Sequence, residues 1–161
     1  MRPIVIDCET TTFQHGNPFC ERNKLCYVGI KSDTQSIQYP IEYGGSPYGE
    51  SLRVIANQLS AFDCIVAFNA KFDLHWLRRY GINFDSRACW DLQLADFIIG
   101  GQERRMPALD DIGSRLALGN KLGGISERYW NKGIDTPEIP EEELRAYLKQ
   151  DCELEWKLYQ W

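Results

Sequence analysis

Four carboxylates stand where carboxylates are costly. Asp7 and Glu9 are two residues apart at the end of the apolar run Pro3-Ile-Val-Ile-Asp7, so the period-2 alternation of a strand turns both to one side of a sheet. Asp73 shares a helical stripe with Trp76, Leu77 and Tyr80, and that stripe is the face which should bury. Asp151 repeats the anomaly on the last helix, in line with Leu144, Tyr147, Leu148, Leu154 and Leu158. A carboxylate on a core-facing stripe is expensive unless something pairs with it, and four converging ones repel each other. Cations resolve both problems. Hard oxygen ligands select Mg²⁺ or Mn²⁺, and two such ions can clamp the attacking and leaving oxygens of an in-line phosphoryl displacement. The chemistry these residues point to is phosphodiester hydrolysis.

Each acid alone has a plainer reading: a strand-end turn residue for Asp7, an early-helix charge on the dipole for Asp73, a solvated face for Asp151. Their combination weighs against three separate accidents, because each sits on a regular element and faces the core side.

The elements that must position them follow from pattern. Pro3–Asp7, Cys26–Lys31 and Ser36–Tyr43 read as strands of an antiparallel meander. Gly44, Gly45, Pro47 and Gly49 make a loop before a helix marked by Leu52, Ile55, Ala56 and Leu59. Cys64–Phe68 is a buried strand running through Asn69 into the Asp73 helix, which Gly81 closes as a C-cap. Ala88–Asp91 is a short strand before a helix with Leu92, Leu94, Ala95, Ile98 and Ile99. Residues 102–135 alternate short helical patterns, at Ala108–Leu116 and Ile125–Trp130, with glycine and charge, which suggests mobile material beside a working face. The last helix is expected to start at Pro140, with three glutamates in its first turn suiting the helix dipole.

At 161 residues the expectation is a single domain, 1–161. No apolar run approaches a membrane span, and the N-terminus meets a carboxylate after three apolar residues, so a cytoplasmic protein is expected. The six cysteines include no CxxC pair and read as reduced thiols; a zinc site from His15, Cys20 and Cys26 lacks the tight ligand pairs of structural zinc. A net charge of −5 argues against nucleic-acid binding by bulk charge neutralisation, but not against an enzyme with acidic metal ligands.

Asp7-Cys-Glu9-Thr10, Asn69-Ala-Lys-Phe-Asp73 and Tyr147-Leu-Lys-Gln-Asp151 resemble the three exonuclease motifs of the DEDD superfamily, also called DnaQ-like. The form is the tyrosine-bearing DEDDy type found in proofreading domains of family A DNA polymerases. Asp91-Leu-Gln-Leu-Ala-Asp96 and Ala108-Leu-Asp-Asp-Ile-Gly113 resemble the segments between the second and third motifs. The resemblance implies an α/β, ribonuclease H-like fold: a five-stranded mixed sheet flanked by helices. It implies a 3′→5′ exonuclease acting on DNA, in proofreading, replication or repair, with two divalent cations. Asp7, Glu9 and Asp151 would hold one ion, Asp7 and, through water, Asp73 the other, and Tyr147 would orient the attacking water. The histidine-bearing branch would need a His shortly before Asp151, whereas the only histidines are His15 and His75. His75 reads as an ordinary helix-surface residue.

By the same resemblance Thr10 falls where the backbone meets the 3′ end and Phe13 where an apolar side chain wedges against terminal bases; a core phenylalanine is the alternative. Asn69 either binds substrate or caps its helix. Lys71, Arg78, Arg79, Arg104 and Arg105 are candidate phosphate contacts or a solvated face. The expected partners are single-stranded DNA or DNA 3′ ends and a DNA polymerase or other replication protein, with Trp156, Tyr159 and Trp161 either packed back or exposed to it. The chain would be a free-standing exonuclease, phage-encoded for instance and so in the host cytoplasm, or an excised domain. An RNA-processing exonuclease of the same superfamily and a non-catalytic interaction domain are the competing readings.

Overall fold

The structure, a computed structural model, describes residues 1–45, 48–84, 86–103, 105–119 and 123–161, Tyr48 by its backbone. Pro47 and Arg104, both named above, lie outside the described residues.

Apolar runs with β-branched residues make the meander: β1 (Pro3–Thr10), β2 (Leu25–Lys31) and β3 (Ser36–Pro40) pair antiparallel in sequence. β4 (Cys64–Ala67) and β5 (Ala88–Asp91) add in parallel on the other side of β1. The result is one mixed five-stranded sheet in the order β3-β2-β1-β4-β5. Helix α1 (Tyr48–Leu59) leads into β4, and α2 (Ala70–Arg79) is the crossover between the parallel strands β4 and β5. Helices α3 (Leu92–Ile99), α4 (Leu109–Arg115), α5 (Ile125–Arg128) and α6 (Glu141–Gln160) follow.

Successive residues of the central strand β1 feed opposite cores. Ile4, Ile6 and Cys8 pack with Ile55 and Leu59 of α1 and with Trp76 and Leu77 of α2. Val5 packs on the other face with Leu144, Leu148 and Cys152 of α6 and with Leu109, Ile112 and Ile125. Asp7 and Glu9 continue the Val5 side, so the strand aims both at α6. A bulge between Glu9 and Thr10 shifts the register as β1 leaves the sheet.

The differences from expectation have local causes. β1 runs on to Thr10, because β2 goes on pairing with it past the last β4 partner at Val5. β3 ends at Pro40, which has no N–H for a ladder, although Ile41 and Glu42 still donate to Cys26 and Leu25. Pro40's counterpart at the last helix, Pro140, is an extended N-cap (φ −52°, ψ 132°) and not the first helical residue. Within the segment expected to be loose, Leu109, Ile112 and Ile125 are core residues. Gly81, at φ +83°, terminates α2 as expected. All six cysteines are free thiols. No helix among the described residues is long and apolar enough to cross a membrane. Trp156 is buried and stacked on Tyr159, while Trp161 is exposed.

Candidate active site

The end of β1 presents Asp7, half-buried, and Glu9, buried; α6 lies against the same face and presents Asp151, which is 1% exposed. Carboxylate oxygens of these three residues all lie within 4.8 Å of one another, close enough for one cation to touch all three. Three acids from two elements so close are electrostatically unfavourable without a counter-charge, and all-oxygen donors are the set that hard divalent ions take. The residues therefore fit a divalent cation.

Asp73 comes from the opposite face of the sheet. β4 pairs with β1 only as far as Val5, and beyond that point α2 takes over from the strand. Asp73 Oδ1 accepts from the Cys8 amide at 2.9 Å, filling a ladder position that β4 leaves vacant. It lies outside the three-acid cluster. Burial, and after it the Asp7 charge, pushes the Asp73 carboxyl well above its ordinary range. The thiols of Cys8 and Cys152 are likewise pushed up, first by burial and then by the acids around them. Both stay protonated, which removes them as nucleophiles.

Tyr147 precedes Asp151 by one turn of α6 and is 8% exposed. The Trp130 ring meets it edge-on at 5.8 Å. Both line a cleft of about 370 Å³ together with Asp7, Glu9, Thr10 and Asp151. A larger cavity, about 930 Å³, lies between α3 and α4 beside Trp161. Its charged lining is Asp96, Asp111, Arg105 and Arg115, with Arg115 paired to Asp96, so it holds no cluster suited to a cation or to acid–base work. The acid cluster lies in the smaller cleft.

The remaining expected residues fall in different places. Thr10 lines the cleft, and its carbonyl accepts from Thr136 Oγ1 at 2.6 Å. Phe13 is not a core residue: it is 40% exposed, at the start of the turn Phe13–Gly16, under the Arg22 guanidinium at 4.3 Å. Besides Tyr147, the rings of Phe72 and Trp130 line the cleft, neither of them expected. Asn69 occupies the N-cap position of α2 in a left-handed conformation (φ 60°, ψ 52°), yet its side chain makes no cap bond. Asp91 does that work, accepting from the Asn69 and Ala70 amides while also capping α3 through Gln93 and Leu94. Arg79 donates to the carbonyls of Pro18, Cys20 and Glu21, and Lys71, Arg78 and Arg79 are all exposed. Arg105 lines the larger cavity, away from the acids. His75 is half-buried on α2 with Phe19 against its ring.

The segment 130–136 is also part of the site. Thr136 is fully buried; besides donating to Thr10, its hydroxyl accepts from Trp130 Nε1 at 3.2 Å. Asp135 Oδ1 accepts from the Thr12 amide and hydroxyl at 2.8 and 3.0 Å. Asp135-Thr-Pro-Glu138 has the form of a capped helix start, which is legible in sequence; its docking onto the end of β1 is not.

No family model matches the chain, and no curated protein matches it. Solved structures do. An apo nuclease superposes over 99% of this chain and 72% of its own length, with a TM-score of 0.68 at 18% identity. The EXO domain of Nibbler from Aedes aegypti gives a TM-score of 0.62 at 19% identity, over 99% of this chain and 77% of that one. The fold is ribonuclease H-like. The family B DNA polymerase of the hyperthermophilic archaeon Pyrobaculum calidifontis also matches over 99% of this chain, with a TM-score of 0.69 at 15% identity. There the chain spans 24% of the other protein's length. At such identities these likenesses speak for the fold, and what the chain does must be argued from its side chains.

Proposed function

We propose that this chain is a 3′→5′ exonuclease of the DEDDy type that hydrolyses the terminal phosphodiester bond of DNA with two divalent cations, Mg²⁺ or Mn²⁺. The observation that carries the reading is the convergence of Asp7, Glu9 and Asp151 oxygens within 4.8 Å, in a cleft that Tyr147 also lines. Asp7, Glu9 and Asp151 would hold one cation, and Asp7 with Asp73 the other. When bound, such ions polarise the phosphoryl oxygens and lower the pKa of water. The Tyr147 hydroxyl orients the attacking water, and its ring is kept in place by Trp130. Thr10 meets the 3′-terminal nucleotide, Phe13 offers a sequence-tolerant stacking surface and Asn69 contacts the strand.

The setting belongs to the same proposal: a cytoplasmic enzyme, phage-encoded for instance, serving proofreading, replication or repair. With a net charge of −5 its non-specific affinity for DNA is low at physiological salt, so a DNA polymerase or another replication protein delivers the 3′ end. Incubation of 5′-labelled single-stranded DNA and RNA with Mg²⁺, Mn²⁺ or EDTA tests direction, substrate and metal dependence together. Shortening of RNA alone would move the assignment to an exoribonuclease.

A further inference from the structure

The acidic cleft must admit a strand that carries a negative charge at every nucleotide. Two divalent ions balance the four carboxylates, which leaves the phosphates upstream of the reacting bond to the protein's own donors. Most donors in the lining are already committed. Thr10 Oγ1 donates to the Thr11 carbonyl at 3.1 Å, Thr11 Oγ1 to Asn23 Oδ1 at 3.1 Å and Thr12 Oγ1 to Asp135 Oδ1 at 3.0 Å. Trp130 Nε1 donates to Thr136, and Tyr147 is assigned to the water.

His15 stands apart from these. It lines the cleft and is exposed, and among the described residues its imidazole makes no hydrogen bond. Among the described lining residues it is also the only one whose side chain can carry a positive charge.

The backbone that places it is strained and firmly held. Gln14 (φ 48°), His15 (φ 57°) and Gly16 (φ 68°) are consecutive left-handed residues, a conformation unfavourable for the two that carry a Cβ. Trp76 Nε1, buried in the α2 core, donates to the Gly16 carbonyl at 2.9 Å, and Asn23 Nδ2 donates to the Phe13 carbonyl at 2.8 Å. Gly16 is pressed so closely on Thr10 that a Cβ there would lie 2.5 Å from Thr10 Oγ1. The turn that results carries the imidazole into the cleft wall.

We infer that His15 is a phosphate-binding residue, donating from its imidazole to a backbone phosphate of the strand upstream of the scissile bond. The inference rests on the exonuclease reading above. A phosphate contact of this kind positions the strand without reading its sequence, which suits an enzyme that must accept any nucleotide.

The test is equilibrium binding, by fluorescence anisotropy, of a short 5′-labelled oligothymidylate in Ca²⁺, for the wild type, His15→Gly and His15→Lys, beside melting curves for each. His15→Gly should weaken binding about 10-fold, the scale of one hydrogen bond to a charged group. Its melting midpoint should hold or rise, because glycine adopts φ 57° without steric cost. His15→Lys should recover most of the affinity. Opposite movements of affinity and stability are what a purely structural histidine would not give. Wild-type affinity in His15→Gly overturns the inference, and so does an affinity loss that comes only with a lower midpoint. If the wild type hydrolyses DNA while His15→Gly binds unchanged, this inference alone falls. If the wild type neither binds nor shortens the strand, the exonuclease reading falls with it.

Discussion

Gly29 stands directly across the β1–β2 pair from Asp7, and a Cβ at Gly29 would lie 2.5 Å from Cys152 Sγ and 2.9 Å from Leu148 Cδ1. The spacing between the sheet and α6 is thus set at the register partner of an acid assigned to the cations, one residue along α6 from another. Gly29→Val should overpack this contact at a cost of about 1–3 kcal/mol and carry Asp151 away from Asp7. Melting curves and Mn²⁺ titration calorimetry read the two effects. Mn²⁺ binding unchanged in a destabilised Gly29→Val protein would show that helix spacing does not set the site.

Asp73 predicts how the ion-free protein responds to pH. Its carboxyl is held well above the ordinary value of 3.8 by burial and then by Asp7, against the Cys8 amide bond, which pulls it down. A group raised in the folded state adds stability in full below its unfolded pKa and loses that contribution as pH rises through the folded one. In EDTA, stability should therefore fall as pH rises from about 4. Asp73→Asn, which keeps an acceptor for Cys8, should flatten that fall and raise the neutral-pH midpoint. Parallel pH profiles for the two proteins would contradict the assignment.

In the proposed mechanism Tyr147→Phe removes one hydrogen bond to the nucleophile and keeps all four acids in the chain. The hydrolysis rate should drop on the order of 10-fold or more. Mg²⁺ should still raise the melting midpoint as in the wild type, since an ion that binds only the folded state stabilises it by mass action. An unchanged rate would reduce Tyr147 to a packing residue beside Trp130.

Thr136→Val replaces a fully buried hydroxyl by a methyl of similar shape. The Thr10 carbonyl then loses its 2.6 Å donor and Trp130 Nε1 its acceptor, which should cost about 1–3 kcal/mol in a urea unfolding curve. Thr136→Ser should restore most of it. Equal stability for the valine and wild-type proteins would mean that the 130–136 segment is not fastened through this residue.

The acids were legible because each interrupts a period. Asp7 and Glu9 alternate with apolar residues on a strand, and Asp73 and Asp151 break buried helical stripes, so strand and helix geometry alone place them on core-facing sides. The meander and the strand-to-helix turn at Asn69 were readable for the same reason. The docking of Asp135 and Thr136, and with them Trp130, onto the end of β1 was not, because the bonds of Asp135 and Thr136 to Thr12 and Thr10 span more than a hundred residues. His15 was hidden by its backbone, since the left-handed pair Gln14 and His15 carries no glycine signal at either position. Asn69, read as a substrate contact or a cap, takes the N-cap position of α2, whereas the bonds to the amides there go to Asp91, distant in sequence.

The central claim is that Asp7, Glu9 and Asp151 make a cation-dependent exonuclease site, and its most direct measurement is a product ladder. A 5′-labelled single-stranded DNA, incubated with the wild type in Mg²⁺ or Mn²⁺, should shorten one nucleotide at a time from its 3′ end. It should remain intact in EDTA and with a folded Asp7→Ala protein. Shortening that persists in EDTA or in Asp7→Ala, or an intact strand with the wild type in both ions, would contradict the account.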